Sequence, residues 1–431
     1  MSWTTTTLGE VTNLKRGFDL PASKRVSGKY PVYSSSGKTG THDKYMVEGP
    51  CVITGRYGTI GKVFYSSNSC WPLNTSLYSC DFKGNNPRFV YYLLQTIPWS
   101  EYTTASAVPG VNRNHVNLHK VTIPDKITQD RIAYLLDSIT SKIELNNQIN
   151  GYLAELLDAS YSLTTKNGTE VKTLPEVADI LSGGTPKTGN SEYWEGGDIS
   201  FFTPGDVTSS VYTLTTGKHV TEMGLANCNS SLYPINTVFL TARGTVGKVA
   251  IAGNPMAMNQ SCFAFRGKGI PQSVVFQIIK NAVKSLKAKA NGATFAAINA
   301  RDLGIERVAI PSKDAMSAYD RNASVWLSEI LANERESLQL ADLRDALLPK
   351  LMSGEIDASK VDLMQLNSHL YEWLRRSRFL LGNRYTVRLI ALPCALDMPC
   401  QVFRLCRLPI LSSRFGFRPG RILLRCLSFG R

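Results

Sequence analysis

The chain has 431 residues, of which 43% are hydrophobic and 19% charged, and its formal net charge at pH 7 is +14. This length exceeds one ordinary hydrophobic core and predicts two to four structural units. No apolar run approaches the roughly 18 residues of a membrane span, and the start of the chain lacks the basic and then apolar order of a secretory signal. We therefore expect a protein of the reducing cytoplasm without a membrane segment, whose nine cysteines are mostly free thiols.

Most of the positive charge lies in the C-terminal tail. From Leu363 onward the chain has twelve Arg, no Lys and only two acidic residues, which accounts for +10 of the +14 and leaves about +4 for the remainder. We interpret the tail as the product of a shifted reading frame or of read-through after Val361-Asp362. The alternative is a basic extension that binds nucleic acid.

Short strands and short helices occur in two regions of the chain. Runs of β-branched and aromatic residues bounded by Gly, Pro and Asn predict strands at 51–54, 62–65 and 237–240. Segments that open on proline, 87–94 and 271–279, predict helices with proline near the first turn. Both regions are therefore mixed α and β.

A helical period replaces this pattern after each region. Between 129 and 163, and again from about 315 to 348, apolar residues recur mostly every three or four positions. The stripes comprise Ile132, Leu136, Ile139, Ile143, Ile149, Leu153 and Leu157 in the first stretch, and Leu327, Ile330, Leu331, Leu338, Leu343 and Leu347 in the second.

Each of these helices is long enough to leave its own domain. A helix of about 34 residues extends about 50 Å, which is more than a compact domain covers. We expect the two helices to bury their stripes against each other, with the polar residues Asn146, Asn147 and Gln148 fixing the register. The alternative is that each helix packs on its own domain.

The two regions are copies of one repeat. Gly58-Thr-Ile-Gly-Lys-Val63 recurs as Gly244-Thr-Val-Gly-Lys-Val249, at an offset of 186 residues. Ile53-Thr-Gly-Arg56 precedes the first of these segments and Leu240-Thr-Ala-Arg243 precedes the second.

Two further segments recur at different offsets. Val111-Asn-Arg-Asn114 matches Ile298-Asn-Ala-Arg301 at 187, whereas Leu8-Gly-Glu-Val11 matches Leu174-Pro-Glu-Val177 at only 166. About 20 extra residues therefore lie in the second copy, between roughly 187 and 240. We interpret the copies as one scaffold with two different surfaces, and ordinary drift of surface loops after a duplication is the alternative.

The repeated Gly-Lys pairs do not predict a phosphate-binding loop. No glycine lies five residues before Gly61 or Gly247, and no Ser or Thr follows Lys62 or Lys248. We expect these glycines to allow a tight turn between strands, with the lysines available for a phosphate.

The sequence gives no pattern of a catalytic or metal site. His115 and His119 have the spacing of a helical metal pair, but the second copy has Asp302 and Glu306 at these positions, so we expect a polar surface. There is no Asn/Asp-Pro-Pro-aromatic run of an adenine methyltransferase and no convincing carboxylate cluster of a nuclease. We therefore expect no cofactor and no catalytic residue.

The repeat, the two long helices and several short motifs together resemble the DNA specificity subunits of type I restriction-modification systems. The opening of a recognition domain in that family is similar to Leu174-Pro-Glu-Val-Ala-Asp-Ile-Leu-Ser-Gly-Gly-Thr-Pro186, followed by Glu192-Tyr-Trp194 and Thr203-Pro-Gly-Asp206. The typical end of the distal helix resembles Leu343-Arg-Asp-Ala-Leu-Leu-Pro-Lys-Leu-Met-Ser-Gly-Glu-Ile356. The resemblance covers residues 1 to about 362, and the tail departs from it.

The resemblance implies a subunit that binds double-stranded DNA and two methyltransferase subunits, and in the full complex also motor-nuclease subunits. Methyl transfer and cleavage would belong to these partners. Its alternatives are a coiled-coil assembly scaffold or inhibitor that never reads DNA, and an enzyme with an unrecognised active site.

The expected fold class is α+β, with two similar mixed α/β target-recognition domains, each followed by a long helix, and the two helices paired as an antiparallel coiled coil. The expected boundaries are 1–127 for the first recognition domain, 128–166 for the central helix, 167–312 for the second domain, 313–357 for the distal helix and 358–431 for the tail.

Arg, Lys, Asn and Gln can distinguish base edges in the major groove by paired hydrogen bonds. The candidate DNA contacts are Lys24, Arg25, Lys29, Lys38, Arg56, Tyr57, Lys62 and Arg113 in the first copy, and Lys187, Thr188, Arg243, Lys248, Asn259, Gln260 and Arg301 in the second. If the helices pair antiparallel, an approximate two-fold axis relates the domains, and the target is split into two parts whose separation depends on helix length.

Overall fold

The structure, a computed structural model, describes residues 2–103, 109–166, 169–289 and 297–361, all within one compact unit. The expectations for the tail beyond residue 361 lie outside the described residues. Within the described ranges, no helix is both long enough and apolar enough to cross a bilayer.

The first domain opens and closes on adjacent strands. β1 (Trp3–Thr7) pairs antiparallel with β9 (Lys120–Pro124), so the chain enters and leaves the domain at one place. The elements between them are α1 (Leu8–Val11), β2 (Lys15–Arg16), β3 (Tyr30–Ser34), β4 (Gly37–His42), β5 (Cys51–Gly55), β6 (Val63–Ser66), β7 (Trp71–Pro72), β8 (Ser76–Ser79), α2 (Pro87–Gln95) and α3 (Arg113–Asn117). They form a four-stranded sheet of order β2-β8-β5-β6 and a three-stranded sheet of order β4-β3-β7.

Local capping explains where α2 begins. The side chain of Asn86 accepts hydrogen bonds from the backbone N–H groups of Arg88 and Phe89, at 2.8 and 3.0 Å, and Pro87 occupies the first turn. The helix then buries Phe89 and Val90 in the core of the first domain. Burial of each such side chain contributes about 1.5–3 kcal/mol. The strands and the helix that the sequence indicates in this domain match β5, β6 and α2.

The second domain repeats this plan with additions. β10 (Thr169–Thr173) pairs antiparallel with β19 (Arg307–Pro311). The elements between them are α5 (Leu174–Val177), β11 (Ala178–Ser182), β12 (Ile199–Phe202), β13 (Tyr212–Thr213), β14 (His219–Val220), α6 (Glu222–Ala226), β15 (Val238–Thr241), β16 (Val249–Ala252), β17 (Met256–Met258), β18 (Cys262–Gly267), α7 (Gln272–Lys289) and α8 (Ala300–Ile305). Its main sheet has the order β11-β18-β15-β16-β13 and its smaller sheet has the order β14-β12-β17.

The extra residues of the second copy add a strand to the shared frame. β13 extends the main sheet by pairing in parallel with β16, whereas the smaller sheet β14-β12-β17 has the same order and the same pairing as β4-β3-β7 of the first domain. Helix α7 continues ten residues past the helix that the sequence predicts at 271–279, because Ala282, Val283 and Leu286 extend its buried face at helical spacing.

Two long helices follow the domains. α4 (Lys126–Thr164) begins after Asp125, whose carboxylate accepts from the N–H of Thr128 at 3.0 Å. α9 (Lys313–Ser353) begins after Ser312, whose hydroxyl accepts from the N–H of Ala315 at 3.3 Å. Each helix starts a few residues before the periodic apolar stripe, because its capping residue lies upstream of that stripe.

The two helices run antiparallel and meet around two asparagines. The Asn146 side-chain amide donates to the backbone carbonyl of Asn333 at 3.3 Å and to the Ser337 hydroxyl at 3.2 Å, while the Asn333 amide donates to the Asn150 side chain at 2.9 Å. The starts of the helices, Lys126 and Lys313, are 187 residues apart, as are Asn146 and Asn333.

Asn146 thus contacts its own equivalent in the repeat. The contact of Asn146 with Ser337 likewise corresponds to that of Asn333 with Asn150. Such reciprocal contacts are those of an approximate two-fold axis that passes through the pair Asn146 and Asn333.

The apolar ends of the helices join the cores of the two domains. Leu153 and Leu157 of α4 pack with Tyr319 and Leu327 of α9 in the core of the second domain. At the opposite end, Ile132 and Leu136 of α4 pack with Leu351 and Met352 of α9 in the core of the first domain. The expected fold class, two similar α+β domains whose following helices pair as an antiparallel coiled coil, is confirmed.

The middle of the seam differs from the predicted stripe. Lys142 and Asn150 are buried on either side of Asn146, whereas Asn147 and Gln148 are exposed. The spacing of four places residues 142, 146 and 150 on one face of the helix, and this face decides which polar residues enter the seam.

The predicted stripe of α9 is only partly buried. Leu338 and Leu343 are 38% and 48% exposed, because α4 and the domains do not cover that face of the helix.

A buried carboxyl group fastens α9 to the second domain. The Glu334 carboxylate accepts from the N–H of Val211 at 3.2 Å, and the neighbouring Arg335 donates to the carbonyl of Gly253 at 2.9 Å. Burial raises the pKa of Glu334 to about 7, although the backbone hydrogen bonds from Val211 and Tyr212 act in the opposite direction.

We expect Asn333→Ala to lower the free energy of unfolding by about 1–3 kcal/mol, because it leaves buried polar groups of the seam without a partner. Leu343→Ala on the exposed part of the same helix is the control and should change stability by only about 0.5 kcal/mol. Urea denaturation of both variants measures the difference. Equal losses would contradict a specific role for the asparagine seam.

Because the pKa of Glu334 is raised in the folded protein, its carboxyl ionises at a lower pH in the unfolded chain than in the folded one. The contribution of Glu334 to the free energy of unfolding therefore falls as the pH rises from 4.5 to 7. Glu334→Gln removes this dependence. We expect the variant to match the wild type near pH 4.5 and to exceed it at pH 8 by at most about 3 kcal/mol.

Urea denaturation at both pH values measures this difference, and Asp345→Asn on an exposed part of α9 serves as the control. A constant difference between Glu334→Gln and wild type across the pH range would contradict the prediction.

Candidate nucleic-acid interface

The repeated glycine motif forms the turn between two central strands of each domain. Gly58 lies between β5 and β6, and Gly244 lies between β15 and β16. Their φ angles are +75° and +78°, a region that favours glycine. In the first domain, the basic residues Arg56 and Lys62 flank this turn.

Hydrogen bonds fix which residues of the two turns are equivalent. The N–H of Val111 donates to the carbonyl of Arg56, and the N–H of Ile298 donates to the carbonyl of Ala242, both at 2.9 Å. Arg56 therefore corresponds to Ala242. The sequence match of Arg56 with Arg243 is wrong by one residue, and Arg243 instead occupies the position of Tyr57.

Strand register supports the same correspondence. Thr54 pairs with Leu77 and Leu240 pairs with Phe263, so the offset is 186 on both strands. The tetrapeptides that end at Arg56 and Arg243 have similar residues, but the sheet register shows that they are shifted by one position relative to each other.

In the first domain, four segments enclose a pocket. They are β2, the turn, β8 and the segment that leads into α3, and their lining residues are Arg16, Arg56, Tyr57, Leu77, Gly110, Val111, Asn112, Arg113 and Asn114. The guanidinium of Arg56 lies 4.5 Å from the centre of the Tyr57 ring. The side chain of Asn112 accepts from the N–H of Asn114 at 3.0 Å and caps α3. The structure thus brings together the predicted residues Arg56, Tyr57 and Arg113.

Arg16 belongs to this pocket although it is absent from the predicted contacts. It lies in the two-residue strand β2, where it pairs with Leu77. The basic doublet Lys15-Arg16 is a signal that sequence reasoning could have used, but only the register of β2 shows that Arg16 approaches the turn.

The equivalent place in the second domain has a different set of side chains. Asn299 caps α8 as Asn112 caps α3, accepting from the N–H of Asp302 at 2.9 Å. Ala300 and Arg301 therefore correspond to Arg113 and Asn114. Arg243 and Arg301, both exposed, lie on the two segments that the hydrogen bond from Ile298 joins.

Four other predicted residues of the first domain lie around the hairpin of β3 and β4. Lys24, Lys29 and Lys38 are exposed, and the ammonium of Lys29 lies 5.0 Å from the centre of the Tyr30 ring. Arg25 donates to the carbonyl of Thr39 at 3.3 Å, so part of its hydrogen-bonding capacity is used within the domain. This group is separate from the pocket.

Four further predicted residues of the second domain lie on two adjacent loops, after β11 and between β17 and β18. Lys187 and Thr188 are exposed on the first loop. Gln260 on the second accepts from the hydroxyl of Thr185, which holds the loops together. The side-chain oxygen of Asn259 accepts from the N–H of Ser261 at 3.0 Å, so part of its hydrogen-bonding capacity is used within the protein.

The inserted residues contact the turn of the second domain. The hydroxyl of Thr245 donates to the carbonyl of Pro204 at 2.9 Å, and the ammonium of Lys248 donates to the carbonyl of Val207 at 3.3 Å. The insertion therefore helps to shape the surface beside Arg243, and part of the Lys248 side chain is used to hold it.

The histidine pair shows no metal geometry. His115 is exposed, whereas the ring nitrogen of His119 lies 2.6 Å from the hydroxyl of Tyr102. Within residues 2–103, 109–166, 169–289 and 297–361, no three His, Cys, Asp or Glu side chains are grouped so that they could hold a metal ion.

Comparison with known proteins gives two matches to one family model. The model of the type I restriction modification DNA specificity domain matches residues 1–154 and again residues 166–319. These ranges contain the two domains and most of α4.

Curated relatives carry the same description. The HindI type I restriction enzyme specificity subunit of Haemophilus influenzae is 24% identical over 362 residues, which covers 63% of this chain and 77% of that protein. The MjaIX type I restriction enzyme specificity subunit of Methanocaldococcus jannaschii is 27% identical over 178 residues, covering 40% of this chain and 41% of the relative. This chain thus spans less than half the length of the second relative.

A solved structure shares the fold. The crystal structure of a type I restriction-modification S subunit from M. genitalium has a TM-score of 0.53 at 17% identity, over 81% of this chain and 96% of that one.

Because Gly244 has a positive φ, we expect a residue with a side chain at this position to destabilise the folded protein. We expect Gly244→Ala to lower the free energy of unfolding by about 1–2 kcal/mol, since an L-residue pays this amount in the left-handed region. Gly244→Asn is the matched control and should cost less, because Asn adopts this conformation more readily. Urea denaturation of both variants measures the difference, and no penalty in the alanine variant would contradict the turn geometry.

Proposed function

Because this chain belongs to the type I restriction modification DNA specificity family, we propose that its two domains read the two parts of a divided target in double-stranded DNA while its helices hold the methyltransferase subunits. The observation that carries this proposal is the two-fold arrangement of two equivalent frames with unlike side chains. Each frame presents its turn through the same hydrogen bond, yet the first domain has Arg56 and Tyr57 where the second has Ala242 and Arg243.

Differences in cation position support readout of two unlike half-sites. An arginine or asparagine recognises a base edge only when its donors and acceptors face that edge. The two turns place guanidinium groups at non-equivalent positions, and the insertion around Pro204 adds a further surface only in the second domain. Two domains of one fold therefore present different donor patterns.

The candidate contacts proposed as readers or phosphate anchors are those that the sequence indicates, together with Arg16. In the first domain they divide into the pocket, Lys62 of the β5–β6 turn and the β3–β4 hairpin. In the second they divide into the turn with α8 and the β11 loop with the β17–β18 loop. Arg25, Lys248 and Asn259 use part of their bonding capacity within the protein, so the greater part of the DNA contact falls to their fully exposed neighbours.

The long helices are proposed as the attachment surface for partner subunits. Tyr152 and Leu163 of α4 are each 62% exposed, and Leu338 and Leu343 of α9 are also exposed. Apolar side chains on the outside of a helix pair are typical of a protein interface. Methyl transfer is assigned to the methyltransferase subunits and cleavage to the motor-nuclease subunits, so that this chain contributes binding and geometry without chemistry of its own.

Exchange of one domain tests the proposal. Replacing residues 1–127 by the same region of a relative with a different target should change one part of the sequence that the assembled complex methylates and leave the other part unchanged. The matched exchange of residues 167–312 should have the complementary effect. Mapping of methylated adenines in DNA from cells that express each variant measures the outcome.

Two results would contradict the proposal. A change in both parts of the target after a single exchange would exclude separate readout by the two domains. Absence of any DNA protection in footprinting of the assembled complex would instead favour a scaffold that does not read DNA.

A further inference from the structure

Three arginines of the first domain converge on one pocket without acidic partners. Arg16, Arg56 and Arg113 all line the pocket. None of them forms an ion pair with a carboxylate in the part of the chain that the structure describes, whereas Arg88 pairs with Asp137.

An arginine side chain remains protonated in proteins, and its five N–H donors form a fork that matches the oxygens of a phosphate. Three such groups around one concavity repel one another unless an anion lies between them. A neutral base edge needs only one guanidinium for a paired hydrogen bond. The concentration of charge therefore favours a phosphate over a base as the ligand of the pocket.

The second domain lacks this arrangement at the equivalent positions. Arg16 pairs with Leu77 and Ser182 pairs with Phe263, and these two partners are themselves equivalent, so Ser182 takes the place of Arg16. Ala242 and Ala300 take the places of Arg56 and Arg113. The same frame thus has three cations in one domain and three small uncharged residues in the other.

We propose that the pocket of Arg16, Arg56 and Arg113 binds one phosphodiester group of the DNA backbone. This inference rests on the DNA-reading function proposed above and assigns the three arginines to the backbone instead of to base edges. Phosphate contacts fix the position of a protein on the duplex without reading its sequence. The first domain therefore has a fixed backbone anchor that the second domain does not share.

The ring of Tyr57 helps to hold the Arg56 side chain in place in the pocket. It lies under the Arg56 guanidinium at 4.5 Å, which restricts that side chain before the ligand arrives. Arg16 is exposed and lies on a short strand, so its substitution removes a charge without disturbing the core.

The test compares Arg16→Ala with Arg307→Ala, which removes the same charge from an exposed position on β19 outside the pocket. Binding of the assembled complex to a duplex that contains the target and to an unrelated duplex is measured over a series of salt concentrations. We expect Arg16→Ala to weaken binding to both duplexes by the same factor and to reduce the slope of log K against log salt by about one. Arg16→Lys, which keeps the charge, should retain most of the slope, and Arg307→Ala should not change it.

A second measurement uses inorganic phosphate and the full chain without DNA. Phosphate should raise the thermal midpoint of the wild type and of Arg307→Ala more than that of Arg16→Ala. If the wild-type complex binds no duplex, the proposed function fails, and this titration still decides whether the pocket takes a phosphate.

Other outcomes overturn the phosphate assignment. A loss of discrimination between the two duplexes with an unchanged salt slope would make Arg16 a base reader. Equal effects of Arg16→Ala and Arg307→Ala in both measurements would show that Arg16 contributes only general positive charge to the surface.

Discussion

The antiparallel contact between α4 and α9 is the constraint on which the arrangement of the molecule depends. Asn146 contacts its own equivalent Asn333, and the reciprocal contacts around this pair are those of an approximate two-fold axis. A shift of one helix by a turn would break these hydrogen bonds and cost about 1–3 kcal/mol for each buried group that loses its partner. The polar centre of the seam thus selects one register, and the register sets where each domain lies.

Within this arrangement, the two domains share a backbone and differ in side chains. The carbonyls of Arg56 and Ala242 accept equivalent hydrogen bonds, so the turns are held alike in both copies. The arginines nevertheless occupy positions 16, 56 and 113 in the first domain and 243 and 301 in the second. The exposed side chains can therefore change while the backbone of the domain stays the same.

The fold could be predicted from the sequence because its signals are local and repeated. Periodic apolar residues indicated both long helices, and the glycine motif indicated the equivalent turns. The position of Arg16 could not be predicted, since it depends on the pairing of a two-residue strand with β8, which leaves no periodic signal. The one-residue error between Arg56 and Arg243 has the same origin, because sheet register determines equivalence and the tetrapeptides are similar at either alignment. Burial of Lys142 and Asn150 likewise depends on which face of α4 meets α9.

The strand pairs β1–β9 and β10–β19 place the entrance and the exit of each domain side by side. The second domain is joined to α4 and α9 by two neighbouring covalent links, and the first domain is joined to α4 after β9. Genetic recombination at those links can replace the whole cassette, including an insertion such as the one around Pro204, without lengthening or displacing the helices. A single event of this kind can therefore exchange one recognition domain while the helices stay unchanged.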